Sequence, residues 1–476
     1  MPAGRRPLGT AAGDDLSSTE EHFVLKFGTD GVRGLANAEL TPELAMALGR
    51  AAARVLEGDR FAVGRDTRLS GPLLEAALAA GLAAEGADVT LLGVVPTPEV
   101  AWWSAAEAQP AAMVSASHNP FHDNGIKLFA AGGRKLPGDV EQAIEAQLQV
   151  AAAEVRRPHG DATPTGAAVG CVRAVPDGDH RGYADAVAAS IGGRRLDGLT
   201  AVVDCANGSA SGVAPAVLRR LGVDVQVLHA TPDGTNINAD CGSTHVGGLA
   251  AAVVDRRADL GVAFDGDADR ALLVDAAGRL VDGDQVVALC AVDRHDRGLL
   301  AGDAVAVTVM ANLGLRLAME EHGIEVVETP VGDRYVLEAL ESRGLTLGGE
   351  QSGHVIFRDL ATTGDGLLTA VQALDVVVRS GRPLAEAAAV MTRFPQVLRN
   401  VRVARRDGSV VDRLAGDVAR VEGNLGPAGR VLVRMSGTEP LVRVMVEAPT
   451  VAVAEAAADE LVRAVEGVAR PDLRDP

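Results

Sequence analysis

FAVGRDTRLSGPLLEAALAAGLAAEGADVTLL (61–92) sets a short β-branched run, a small-residue loop, a helical stretch, a glycine and a second β-branched run in that order. TAVVDCANGSASGVAPAVLRRLGVDVQVL (200–228) and AVAVTVMANLGLRLAMEEHGIEVVE (304–328) repeat the order. Gly86, Gly222 and Gly323 follow the helical stretches, which suits the left-handed position just past a helix end, and the returning apolar run suits a buried strand. Strand–helix–strand is the βαβ unit. One copy could occur in any α/β chain, but three favour duplicated α/β domains. Past Phe394 the pattern changes. FPQVLRNVRVA (394–404), RVLVRMSGTEPLVRVMVEA (430–448) and a closing Ala-rich helix (451–468) predict strands packed with one or two helices. The fold class expected is therefore α/β: three similar mixed-sheet α/β domains, then a smaller α+β C-terminal domain. After a disordered leader (1–20), domains are expected at 21–155, 168–275, 280–388 and 393–470. Linkers are expected near 153–170, 274–284 and 380–393.

Length agrees, since 476 residues at roughly 150 per domain suggest about three domains and allow four. A hydrophobic fraction of 47% with 23% charged residues supports sizeable cores and excludes general disorder. No apolar run is long enough to span a membrane, and Asp14 and Asp15 interrupt an opening that lacks the apolar core of a secretory signal. Cys171, Cys205, Cys241 and Cys290 are widely spaced, without CxxC pairs or clustered His. They read as reduced thiols of a cytoplasmic protein, not a zinc site or disulfide framework. A net charge of −19 and only 3% aromatics argue against nucleic acid, and require a local basic cluster for any anionic substrate.

Four segments carry chemistry. LGVAFDGDADR (260–270) ends an apolar run in Asp265, Asp267 and Asp269. Extended, alternate carboxylates would lie about 6.6 Å apart per step, whereas Mg²⁺ with oxygens at about 2.0–2.1 Å needs its ligands closer. The chain must curl there, and Gly266 and Ala268 allow it. An EF-hand loop is excluded because Arg270 and Ala276 stand where Gly and Glu are required; a solvated acidic turn is the bland alternative. In MVSASHNPFHDNGIKLF (113–129), Ser117 could be a nucleophile or phosphoryl carrier, with Lys127 ten residues on, or simply a turn residue, and bracing the loop is the bland alternative for His118. RMSGTEPLVRV (434–444) sets Ser436, Gly437 and Thr438 between Arg434 and Arg443, which is a phosphate cradle or an ordinary hairpin turn. No GxxxxGK[ST] occurs, so no nucleotide P-loop is present. In GGEQSGHVIF (348–357), Glu350, Ser352 and His354 alternate, so a strand-like or looped backbone aims them to one side, where sugar hydroxyls and a proton could be handled.

FGTDGVRG (27–34), GRDTRLSG (64–71), SASHNP (115–120), DGDADR (265–270), GEQSGH (349–354) and RMSGTEP (434–440) together resemble the α-D-phosphohexomutase superfamily, in the family's order and over roughly residues 24–470. The GEQSGH form and the FGTDGVRG opening look like the bacterial phosphoglucosamine mutase branch. The one departure is the leader, because relatives begin only a few residues before FGTDGVRG. That bears on the start of the mature protein and not on the activity.

The resemblance implies a heart-shaped protein with a central cleft. It implies Ser117 as phosphoryl carrier, and Asp265, Asp267, Asp269 and the phosphoserine oxygen as Mg²⁺ ligands. Glu350, Ser352, Gly332, Asp333 and Arg334 map to sugar contacts. Arg434, Ser436, Gly437, Thr438 and Arg443 map to a distal phosphate site. Arg33, Lys127 and His354 are implied proton-transfer groups, with His118 beside the serine and Arg270 beside the phosphoryl group. The implied reaction is glucosamine 6-phosphate ⇌ glucosamine 1-phosphate through a 1,6-bisphosphate, feeding UDP-N-acetylglucosamine and cell-wall precursor synthesis. Its primer would be glucosamine or glucose 1,6-bisphosphate, its partner a small phosphosugar, its assembly open to a homodimer. The alternatives are glucose or mannose phosphates as substrates, a haloacid-dehalogenase-type phosphatase suggested by VAFDGDAD, and a non-catalytic phosphosugar-binding protein.

Overall fold

The computed structural model describes residues 31–155, 163–175, 181–436 and 439–469. The leader expected at 1–20 lies outside them, as do 156–162 of the first expected linker.

Each repeat becomes a parallel strand pair joined by a helix. Arg60–Arg65, Gly71–Ala84 and Asp88–Val94 form the first, Thr200–Asp204, Ala210–Arg220 and Asp224–Leu228 the second, and Ala304–Thr308, Leu313–Glu321 and Glu325–Thr329 the third. Gly86, Gly222 and Gly323 sit at φ +93°, +102° and +70°, where a residue with a Cβ would be strained.

The first strand of each pair takes a second parallel neighbour: Ala111–Val114, Leu260–Phe264 or Leu347–Gly349. That neighbour turns back into an antiparallel strand: Asp123–Ala130, Ala271–Asp275 or Val355–Phe357. All three domains thus have mixed sheets with one topology. The loop between the last two strands occupies the same place in each. These loops are 115–122, 265–270 and 350–354, which hold the SASHNP, DGDADR and most of the GEQSGH motifs. The C-terminal domain is an antiparallel sheet in the order Gln396–Arg402, Leu441–Glu447, Arg430–Met435.

Several expected boundaries move. Val172–Ala174, expected in the second domain, pairs with Asp88–Val94 as an edge strand of the first sheet. Leu280–Val281, placed at the start of the third domain, pairs with Ala271–Asp275 and closes the second sheet. The stretch 274–284 is therefore a hairpin running into a helix, Gly283–Asp296, whose N-cap Asp282 forms a capping box with Gln285, rather than a linker. Residues 380–393 contain the helical turn Leu384–Ala387 and bury Leu384, Ala387, Ala388 and Met391. The C-terminal sheet carries three helices, Ser409–Arg413, Ala415–Leu425 and Val451–Ala469, where one or two were expected.

The core explains why those linkers are not slack. One apolar cluster runs from Tyr183 to Met391 and joins the second and third domains, each of which also has a smaller cluster of its own, whereas the clusters of the first and the C-terminal domains stay within them. Among the described residues no helix is long and apolar enough to cross a membrane.

Candidate active site

Strand Leu260–Phe264 is buried along its whole length and delivers Asp265 to the rim of its sheet. The chain then curls: Ala268 sits at φ +57° and its N–H donates to the Asp265 carbonyl at 3.1 Å. Oxygens of Asp265, Asp267 and Asp269 come within 4.8 Å of one another, and all three residues are buried. The first domain reaches this loop at three points. Ser117 Oγ donates to Asp265 Oδ2 at 2.6 Å, Thr97 Oγ1 donates to Asp267 Oδ2 at 2.7 Å, and Lys127 Nζ lies 2.8 Å from Asp267 Oδ2 and 3.2 Å from Asp269 Oδ2. Among the described residues, buried Asp267 Oδ1 and Asp269 Oδ1 have no donor within hydrogen-bond distance. An all-oxygen donor set with orphaned carboxylate oxygens fits a hard divalent cation such as Mg²⁺.

The three carboxylates are not equivalent. Burial, and then the charges of Asp269 and Asp267, push Asp265 well above the usual carboxylate range. Burial works the same way on Asp269, but Lys127, His354 and Arg270 overcome it and hold that carboxyl well below the range. Arg270 is half-buried beside the loop, its Nε 3.7 Å from Asp269 Oδ1 and its N–H donating to Asp265 Oδ1 at 3.2 Å.

Ser117 is 1% exposed and left-handed at φ +52°, a strained setting for a non-glycine residue. Its N–H donates to Ser115 Oγ at 2.9 Å. His118 Nδ1 stands 3.2 Å from Ser117 Oγ. Burial, and then the charges of Arg270 and Arg33, press the His118 imidazole down to about 4, so it is neutral at physiological pH. The unfolded chain would protonate this ring near 6.5, so it binds more protons than the folded protein between about pH 4 and 6.5. Stability attributable to His118 therefore rises with pH across that window. NMR titration is expected to show its ring neutral down to about pH 5; a midpoint near 6.5 would contradict this environment.

From the third domain, His354 inserts between Asp269 (Nδ1 to Oδ1, 3.6 Å) and Asp333 (Nε2 to Oδ2, 3.6 Å). Burial alone would lower its pKa, but Asp269 and then Asp333 raise it above the ordinary value. Glu350 Oε1 accepts from the Gly332 N–H at 3.2 Å. Glu350, Ser352 and His354 lie in a tight turn, with Gly353 N–H donating to the Glu350 carbonyl, and not along an extended strand. Ser352 Oγ is buried with no partner among the described residues, as is Gln351 Nε2. Two ion pairs, Lys135–Asp333 and Arg334–Glu141, tie this loop region to the first domain.

The C-terminal hairpin sets Arg434 directly opposite Arg443. Burial and then Arg443 lower the pKa of Arg434, the mark of two like charges held side by side. Arg443 Nε is buried without a partner among the described residues, and Ser436 is 1% exposed. Gly437 and Thr438 lie outside the described residues. Among the described residues no hydrogen bond or ion pair joins Arg434, Ser436 or Arg443 to the aspartate loop.

Arg33 lies on the strand Val32–Leu35 opposite Gly125, close enough for its charge to act on His118. Residues that sequence reasoning passed over are Thr97, Lys135, Glu141 and Asn238, together with Asp66, Arg68 and Ser115 inside motifs that had been noticed. A second cluster is Asp204, His229 and Cys241, with ligand atoms within 4.8 Å, which spacing along the chain had hidden. Its carboxylate is already taken by the amides of Ala206 and Gly242, and burial pushes the Cys241 thiol up to about 12.

Four domain families described as phosphoglucomutase/phosphomannomutase match the chain. Domain I matches residues 24–154, domain II 181–278, domain III 282–394 and the C-terminal domain 398–464. A phosphoglucosamine mutase of Saccharopolyspora erythraea is 56% identical over 450 residues, covering 93% of this chain and 99% of that protein. The structure of a phosphoglucomutase/phosphomannomutase family protein from Burkholderia thailandensis superposes with a TM-score of 0.77 at 27% identity, over 92% of this chain and 97% of that one. An Aspergillus fumigatus N-acetylphosphoglucosamine mutase, solved with GlcNAc-6P and magnesium, shares the fold at 20% identity with a TM-score of 0.66, over 94% of this chain and 96% of that one.

Proposed function

This chain belongs to the phosphoglucomutase/phosphomannomutase family, and on that premise we propose that it interconverts glucosamine 6-phosphate and glucosamine 1-phosphate with Ser117 as the phosphoryl carrier. The observation that carries the proposal is the 2.6 Å contact between Ser117 Oγ and Asp265, made across two domains inside a buried aspartate triad. Glucosamine phosphates are favoured over glucose or mannose phosphates by the 53–56% identity to relatives named phosphoglucosamine mutase.

Phosphorylated Ser117 gives its phosphoryl group to the free sugar hydroxyl. The new O–P bond forms, the P–Oγ bond breaks, the sugar hydroxyl proton passes to a side chain, and Oγ takes up a proton as it leaves. The sugar 1,6-bisphosphate turns over, and its other phosphate returns to Oγ. Asp265, Asp267, Asp269 and the phosphoserine oxygen would hold Mg²⁺, which when bound offsets charge on the transferring group. Arg270 adds a fixed cation there. Neutral His118 stands beside Oγ, Lys127 pairs with Asp267 and Asp269, the pKa of His354 is raised by Asp269 and Asp333, and Arg33 completes the proton-transfer candidates. Glu350, Ser352, Gly332, Asp333 and Arg334 would hold the sugar. Arg434 and Arg443, with Ser436, Gly437 and Thr438, would grip the phosphate that is not reacting, a role needing a generic cradle because the sugar presents either end. A glucosamine or glucose 1,6-bisphosphate would supply the first phosphate. A cytoplasmic location goes with phosphosugar substrates and reduced thiols.

Two measurements test the proposal. Purified protein should be heavier than its sequence by one phosphoryl group. Its kcat/KM for glucosamine 1-phosphate should exceed that for glucose 1-phosphate and mannose 1-phosphate by about tenfold or more. A reversed ranking would move the enzyme to the glucose or mannose branch. Release of inorganic phosphate without isomerisation would mark a phosphatase.

A further inference from the structure

Arg68 is among the largest fully buried side chains of the protein, and its guanidinium is spent on backbone carbonyls. One terminal nitrogen donates to the carbonyls of Ser117 and Asn119, each at 2.8 Å. The other donates to those of Pro120 and Asp123, the latter at 2.9 Å. Its Nε donates to Asp66 Oδ2 at 2.9 Å, and the same oxygen accepts from Ser115 Oγ, which itself receives the Ser117 N–H. Both backbone ends of Ser117 are therefore tied to the Asp66–Arg68 pair.

The loop that carries Arg68 is itself stitched to the second domain. Thr67 Oγ1 donates to the Asn207 carbonyl at 2.6 Å, and Leu69 N–H donates to the Gly234 carbonyl at 2.8 Å. From that second domain Asn238 Nδ2 reaches back, donating to the carbonyls of Ser117 (2.9 Å) and Asn119 (3.1 Å). Gly266 of the aspartate loop is packed so closely on the Ser117 carbonyl that a Cβ would collide with it. One carbonyl oxygen thus collects a donor from each domain and a close contact from the loop of Asp265.

We propose that Arg68 and Asn238 are positioning residues. By sharing the Ser117 carbonyl across the domain boundary, they hold Ser117 in its left-handed conformation and aim Oγ at Asp265, so that the phosphoryl group goes to sugar and not to water. The inference rests on Ser117 being the phosphoryl carrier. Released from that grip, the phosphoserine loses alignment with the sugar hydroxyl, and water competes. In that step a water oxygen bonds to phosphorus, the P–Oγ bond breaks, Oγ keeps a proton from the water and orthophosphate leaves.

The test uses full-length Arg68→Lys and Asn238→Ala, each phosphorylated with glucose 1,6-bisphosphate beside wild type. Isomerase kcat and KM are measured, and intact mass follows loss of the phosphoryl group in buffer. The expected result is a fall in kcat of about 100-fold for Arg68→Lys and about tenfold for Asn238→Ala, with KM unchanged. Phosphate loss in buffer should be faster in both, and the double variant should be little worse than Arg68→Lys because both side chains hold one atom. Wild-type kcat and phosphate loss in a variant that is merely less stable would overturn the inference, as would raised KM with intact kcat. Should Arg68→Lys not fold, Asn238→Ala decides on the same readouts. A wild type that isomerises without ever carrying phosphate would instead sink the carrier role of Ser117 on which the inference stands.

Discussion

Ser117→Ala lowers isomerase turnover by at least about 10⁴-fold, the scale on which enzymes lose a covalent nucleophile. The protein should also stop acquiring the mass of a phosphoryl group from a sugar bisphosphate. Among the described residues, the hydroxyls beside it are already engaged. Ser115 Oγ donates to Asp66 and accepts from the Ser117 N–H, and Thr97 Oγ1 donates to Asp267 on another face of the triad. The exchange removes only an oxygen, so folding should be little changed. Steady-state assay and intact mass on the same preparation decide the matter; a variant that kept a tenth of wild-type turnover would end the case for a phosphoserine intermediate.

The second large effect has opposite signs on activity and stability. Asp265→Asn is expected to cost about 10³-fold in turnover, as an ionised ligand and its share of charge stabilisation are lost. In metal-free protein it should raise stability by about 1 kcal/mol, because Asp265 is fully buried against Asp267 and Asp269 and its charge is disfavoured there. The asparagine can still accept from the Arg270 N–H and bond the Ser117 hydroxyl once that rotor turns. Calorimetry with and without Mg²⁺ separates the two effects. Saturating Mg²⁺, at about 100 times its dissociation constant, should stabilise wild type by about 2.7 kcal/mol and the variant by much less. Equal stabilisation of both would remove Asp265 from the metal set.

Much of the chemistry could be read from the sequence because each loop is contiguous. Asp265, Asp267 and Asp269 announce themselves within five residues, and the need for a curl followed from spacing alone. What escaped lies between loops. Arg68 is 49 residues from the carbonyl it holds and Asn238 is 121 from the same atom. Neither belongs to a pattern whose chemistry points at a backbone oxygen. Lys135 and Asp333 are 198 residues apart. Domain borders failed for a related reason. Val172–Ala174 and Leu280–Val281 are assigned by the strand they pair with, and pairing partners are not written into a short apolar run. The alternation of Glu350, Ser352 and His354 left a strand-like and a looped backbone equally open, and Gly353, at φ +90°, turns the chain into the loop.

Three equivalent loops carry three different chemistries, one a hydroxyl, one a set of acids, one a carboxylate with a hydroxyl and an imidazole. Copies that began alike have divided the labour and surrendered their independence. The catalytic unit is consequently no single domain but the meeting point of their edges. A change that leaves every domain well folded and merely slides one past another by an ångström is enough to silence the whole.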